Sequence, residues 1–125
     1  MSTRSTVKFY NGVQDQPVLS VYQQFDGYIE GVGHELANWL KNKKVIDSIR
    51  EQTMEGGFAN GMGCLAAQFV AEHKTCIGSF YVTTADNEQE YNYKVRVIDG
   101  NFVIEVGGFK GTPDELLSYK DQEDG

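Results

Sequence analysis

Period-two alternation opens the chain. In STVKFY, Val7 and Phe9 fall on one side of a strand, Lys8 and Tyr10 on the other. Asn11-Gly12 begins a turn region that ends at Pro17. VLSVYQQF then predicts a second strand with Leu19, Val21 and Phe25 on its apolar face, so the first two strands form a hairpin. From Gly31 the period changes. Val32, Leu36, Trp39 and Leu40 follow i, i+4, i+7, i+8, the stripe of an amphipathic helix, and Lys41, Lys43 and Lys44 suit its C-terminal end. VIDSI, Val45 to Ile49, reads as a short extra helical turn. Met62, Leu65, Ala66, Phe69 and Val70 make the face of a second helix ending near His73-Lys74.

The strand period then returns. CIGSFYVTT predicts strand three, with Phe80 and Val82 inward and Ser79, Tyr81 and Thr83 outward. After the turn ADNEQ comes YNYKVRVIDGNFVIEVGG, in which Asp99-Gly100 suits a two-residue type I′ turn. Placing Ile98 opposite Asn101 sets Val97 against Phe102, Val95 against Ile104 and Tyr93 against Val106 on one apolar face. Lys94 then meets Glu105 on the other face, and Arg96 meets Val103. TPDELLSYK predicts a last short helix: Thr112 caps it, Pro113 fits its first turn, and Glu115 completes a capping box. Strands at both ends and helices between predict an α+β fold. The expected form is an antiparallel sheet of about five strands with two main helices packed on one face. At 125 residues the chain predicts a single domain, 1–125, with 121–125 an acidic tail.

Two glycine-rich helix entries change the picture. FDGYIEGVG, Phe25 to Gly33, carries Gly27, Gly31 and Gly33 where strand becomes helix. GGFANGMG, Gly56 to Gly63, opens the second helix. A helix that begins in such a turn offers free N–H groups to an anion. The N–H groups of Asn60, Gly61, Met62 and Gly63 therefore form a candidate phosphate cradle, and Asp26 and Tyr28 in the first turn form a fallback site. GGFANGMG fits neither the Walker A pattern nor a dinucleotide fingerprint, and a capped flexible turn explains it equally well. The outward sheet face carries Lys8, Tyr10, Ser20, Tyr22, Ser79, Tyr81, Asn92, Lys94 and Arg96. Tyr22, Tyr81 and Asn92 suit base contacts, and Lys94 and Arg96 suit phosphate. The same face also suits packing against another subunit.

Charge narrows the partners. Net charge is −7, which argues against sequence-independent binding of DNA or RNA. It leaves room for a small anion held by two or three local donors. No run approaches the roughly 18 apolar residues of a membrane span, and MSTRSTVKFY lacks the apolar stretch of a signal peptide. Cys64 and Cys76 read as reduced thiols. An acid/base pair of Asp26 and His34, or of Cys64 with His73 or His34, is outweighed by ordinary capping and packing roles, because nothing completes a catalytic set. Cysteine and histidine spacing matches no zinc pattern. The expectation is no enzyme, no metal and no cofactor.

FDGYIEGVG after a short strand, the N-terminal STxxFY pattern, GGFANGMG and the NY-containing hairpin together resemble the anti-Thoeris sponge family of phages and prophages. The likeness runs from Ser2 to about Gly108. The resemblance implies a host-cytoplasmic, oligomeric protein that sequesters cyclic ADP-ribose signals of bacterial immunity without cleaving them. Some members also hold cyclic di- or trinucleotides at a second site. It further implies basic residues near the C-terminal end that hold phosphates; this chain departs from that pattern, offering only Lys110 and Lys120 there, with Phe109 beside them. The alternatives are a small nucleotide-processing hydrolase and an acidic protein-binding inhibitor with no small-molecule ligand.

Overall fold

The structure is a computed structural model that describes residues 3–46 and 57–119. Among the described residues eight strands run β1 Ser5–Tyr10, β2 Pro17–Gln23, β3 Lys44–Ile46, β4 Phe58–Asn60, β5 Tyr81–Thr83, β6 Tyr91–Ile98, β7 Asn101–Val106 and β8 Phe109–Gly111. The described helices are α1 His34–Leu40, α2 Gly61–His73 and α3 Pro113–Ser118; a π-wound turn, Ile29–Gly33, leads into α1. The fold is α+β. Its main sheet has six strands in the order β5-β2-β1-β6-β7-β8, and β3 pairs with β4 separately.

The sheet is mixed, not the purely antiparallel one of about five strands that alternation suggested. β1 and β6 run parallel, Val7 opposite Tyr93 and Phe9 opposite Val95. Every other pair in the large sheet is antiparallel. Hairpin logic joins neighbours in sequence, and β1–β6 is a pairing across more than eighty residues. The β6–β7 register agrees with expectation: Lys94 opposite Glu105, Arg96 opposite Val103, Ile98 opposite Asn101. Asp99 and Gly100 both take positive φ, 53° and 83°, as a type I′ turn requires. Thr112 accepts the Glu115 N–H at 3.2 Å and the Glu115 carboxylate accepts the Thr112 N–H at 2.8 Å, completing the capping box.

Several local expectations give way. Val45 and Ile46 belong to β3, not to a helical turn; positions 47–49 lie outside the described residues, as do Gly56, Lys120 and the acidic tail. The third predicted strand shrinks to Tyr81–Thr83. Cys76 to Ser79 form a turn in which the Ser79 hydroxyl accepts the Thr75 and Cys76 N–H groups, so Ser79 is not an outward strand residue. Val82 and Phe25, expected in the core, are 67% and 50% exposed, because one sits on the sheet's edge strand and the other beyond the end of β2.

The core lies between one sheet face and the helices. Val7, Phe9, Val21, Tyr93, Val95 and Ile104 from the sheet meet Leu36, Leu40, Leu65, Phe69 and Leu116 from the helices. The opposite face is not an open platform. Residues 84–90 carry the chain from edge strand β5 to central β6, and must pass over β2 and β1 to do so. Lys8 is pinned beneath that crossover. Its ammonium donates to the Ala85 carbonyl at 2.9 Å and to Glu88 at 2.5 Å, and its side chain is 1% exposed. Thr6, Lys8 and Ser20 are all buried on a face that period-two reasoning turned toward solvent.

Candidate functional site

What the crossover leaves uncovered is the outer face of β6, β7 and β8. A cleft of about 420 Å³ opens there. Alternation along β6 and β7 puts Lys94, Arg96, Ile98, Val103 and Glu105 on this side, Lys110 comes from β8, and Val13 from the β1–β2 turn closes one edge. Three cations and one carboxylate thus surround an apolar floor in a chain of net charge −7. Across three neighbouring strands the register aligns Lys94, Glu105 and Lys110 in one row. An adjoining hollow of about 260 Å³ shares Lys94 and Glu105 and is walled by Glu88, Glu90 and Asn92.

The two basic residues differ in what they are free to do. Arg96 donates to the Gly12 and Gln14 carbonyls, at 2.9 and 2.8 Å, and lies 4.1 Å over the Tyr10 ring. It therefore fixes the β1–β2 turn, and with it Val13. Burial pushes the Tyr10 phenol up, and the Arg96 guanidinium partly offsets this. Among the described residues Lys94 makes no ion pair within 4.0 Å. Asn92 is largely engaged: its oxygen accepts from Thr6 Oγ1 at 2.7 Å and Gln89 N at 2.9 Å, and its nitrogen donates to the Gln89 carbonyl at 2.8 Å. Its amide shapes the entry to β6, and one of its two N–H groups is used in doing so.

The predicted residues thus separate into groups. Lys94 and Arg96 share the cleft. Tyr22 and Tyr81 pair across β2 and β5 with ring centroids 6.2 Å apart, two strands or more from Lys94 and beyond the crossover. Asn60, Gly61, Met62 and Gly63 stand at the start of α2. Gly61 holds φ +86° with open space beside it, Gly63 is also open, and no side chain caps the helix. Met62 is buried in the core.

In the FDGYIEGVG turn the close approaches are made by the chain itself. Gly27 donates to the Thr3 carbonyl at 2.9 Å and its own carbonyl accepts the buried Tyr93 hydroxyl at 2.6 Å. A side chain on Gly31 would collide with the Asp26 carbonyl, and one on Gly33 would crowd the Tyr93 ring at 3.1 Å. Asp26, at φ 58°, and Tyr28 remain exposed at its rim.

Among the described residues no hydrogen bond joins Asp26 to His34, or Cys64 to His73 or His34. Among the described residues His34 Nε2 is buried without a hydrogen-bond partner. Cys64 and His73 lie nine residues apart on one helix, about 13 Å along its axis. His73 bonds the Phe69 carbonyl at 2.8 Å and stacks on the Phe69 ring. The Cys76 thiol, exposed in its turn, is held below the usual range chiefly by the Gly78 and Ser79 N–H groups. Among the described residues no three His, Cys, Asp or Glu side chains are grouped to hold a metal ion. No described helix is long and apolar enough to cross a membrane.

Sequence reasoning missed half of the cleft. Ile98, Val103 and Glu105 were legible as outward hairpin positions, but their apolar members carried no chemical signal. Val13 gave none, since it becomes a wall only when Arg96 holds its turn. A second cleft, about 390 Å³, lies at the other end of α1 between Lys41, Lys43, Lys44, Phe102 and Pro113. Two of its cations are already paired, Lys41 with Asp114 at 3.6 Å and Lys43 with Glu72 at 3.3 Å. The chain matches no protein-family model, no curated protein and no solved structure.

Proposed function

We propose that this protein is a non-enzymatic binder that sequesters small cyclic nucleotides, and that it holds them in the outer cleft over β6–β8. The observation that carries the reading is Lys94, a cation with no ion pair among the described residues, beside a cavity of about 420 Å³ with an apolar floor. That volume lies in the range of small-molecule sites, which combine apolar walls with a few placed polar groups. Lys94 and Lys110 meet phosphate oxygens, Ile98 and Val103 support a base or ribose, and Glu105 between the lysines accepts from a hydroxyl or amino group. Arg96 adds positive potential and holds the turn bearing Val13. The uncapped start of α2 is a second anion-binding candidate of this reading. Binding alone suffices for sequestration, so the ligand leaves chemically intact.

The test is calorimetric titration of a cyclic ADP-ribose isomer and of a cyclic trinucleotide, followed by heat release and chromatography of the bound material. Lys94→Met is expected to weaken binding by about 1.5–3 kcal/mol, the worth of a hydrogen bond to a charged group. Asn92→Ala is expected to affect stability only. Recovery of a cleaved product would overturn the reading in favour of a hydrolase. Absence of any small-molecule binding would favour a protein-binding inhibitor.

A further inference from the structure

The two edges of the six-stranded sheet are built differently. β8 carries Lys110, a charge that discourages strand pairing, and Phe109 at its start packs on Tyr119. β5, the other edge, has the uncharged sequence Tyr81-Val82-Thr83 and among the described residues pairs only with β2. Around it lie exposed apolar side chains: Val82 at 67%, Tyr81 at 42%, and Ile77 at 91% in the preceding turn. An edge with open backbone groups, no lysine, no proline and an apolar border is a template for another strand.

We propose that β5 pairs antiparallel with β5 of a second copy of this chain, about a twofold axis at Val82. Charge selects this occupant. A twofold at Val82 sets Tyr81 of one copy opposite Thr83 of the other, so no like charges meet at the axis. It also brings the turn before β5 of one copy against the turn after β5 of the other. The first turn carries the Lys74 ammonium, which donates to the Ile77 and Ser79 carbonyls at 3.1 and 2.7 Å and sits 4.6 Å over the Tyr81 ring. The second carries the fully exposed Asp86, whose carboxylate accepts from Thr84 Oγ1 at 2.6 Å. The symmetry that pairs the strands thus places a cation against an anion twice. A parallel pairing would set Lys74 against Lys74 and Asp86 against Asp86. Isologous contacts of this kind are the commonest route to a closed dimer. The joined sheet has twelve strands, and each copy's outer cleft over β6–β8 stays open at the far end from the axis.

Sedimentation velocity of the full chain across micromolar concentrations tests this. The expected result is a dimer. Val82→Lys, at a position already exposed, is expected to give a monomer that keeps the wild-type far-UV circular dichroism and loses the concentration dependence of the wild-type melting temperature. Asp86→Lys is expected to weaken dimerisation at least tenfold at low salt. A wild-type monomer at one hundred times the concentration of a typical assay, or a dimer that survives Val82→Lys, would overturn the proposal. A dimer indifferent to Asp86→Lys would overturn the antiparallel arrangement.

Discussion

Replacing Gly27 with alanine tests whether the FDGYIEGVG turn is a packing hinge. Gly27 is buried against the start of β1. A Cβ there would lie 2.6 Å from Ser5 Cβ, 2.8 Å from Ser5 Oγ and 2.9 Å from the Thr3 carbonyl oxygen. Favourable carbon contacts lie near 3.5–4.0 Å, so the new methyl must move by about 1 Å or push a strand of the central sheet. Such overpacking costs about 1–3 kcal/mol. The displacement also strains the Tyr93 hydroxyl bond to the Gly27 carbonyl, 2.6 Å and buried, adding about 1 kcal/mol. The expected loss is about 2–4 kcal/mol, a large share of a total stability of about 5–15 kcal/mol. In a thermal melt followed by circular dichroism, that corresponds to a fall of about 10 °C. Gly63→Ala is the control. It stands inside α2 with open space around it, and is expected to stabilise by about 0.5–1 kcal/mol. Ser5→Gly removes two of the three colliding atoms, so the double variant Gly27→Ala with Ser5→Gly is expected to be more stable than the sum of the single effects. Strict additivity, or a Gly27→Ala variant as stable as the parent, would refute the steric argument.

Two further outcomes follow from buried and bonded charges. Lys8→Met removes the ammonium that holds the 84–90 crossover; since Glu88 is 63% exposed and recovers its water, the expected cost is about 1–3 kcal/mol, with faster amide exchange confined to residues 84–90. The Glu72 carboxylate is held below its usual range, first by the Trp39 indole N–H at 2.8 Å and then by Lys43. A depressed carboxylate stabilises the fold above its unfolded value and loses that contribution as pH falls through the folded value. Trp39 fluorescence is therefore expected to titrate at a pH below the ordinary carboxylate range near 4.3, and Glu72→Gln is expected to abolish that step.

Some of this was written locally. The β6–β7 hairpin was legible residue by residue, because Asp99-Gly100 dictates a turn and alternation then leaves one register in which the apolar positions share a face. The α3 cap was legible because Thr112, Pro113 and Glu115 act within one helical turn. The segments that misread are those where a distant partner decides. Val45 and Ile46 look helical in isolation and become a strand because β4 lies beside them. Tyr22, Tyr81, Asn92, Lys94 and Arg96 do project to one sheet face, yet the crossover divides them, and Asn92 and Arg96 each bond loop backbone.

The amino-acid sequence alone determined which residues alternate, where turns and caps fall, and hence the α+β class and the contents of each face. Only the tertiary structure decided the parallel pairing of β1 with β6, the burial of Lys8, the protein-filled glycine turn and the cleft around Lys94. The physical reason is that periodicity specifies the side of a strand to which a residue points. What covers that side depends on a chain segment remote in sequence, whose approach is set by the packing of the whole.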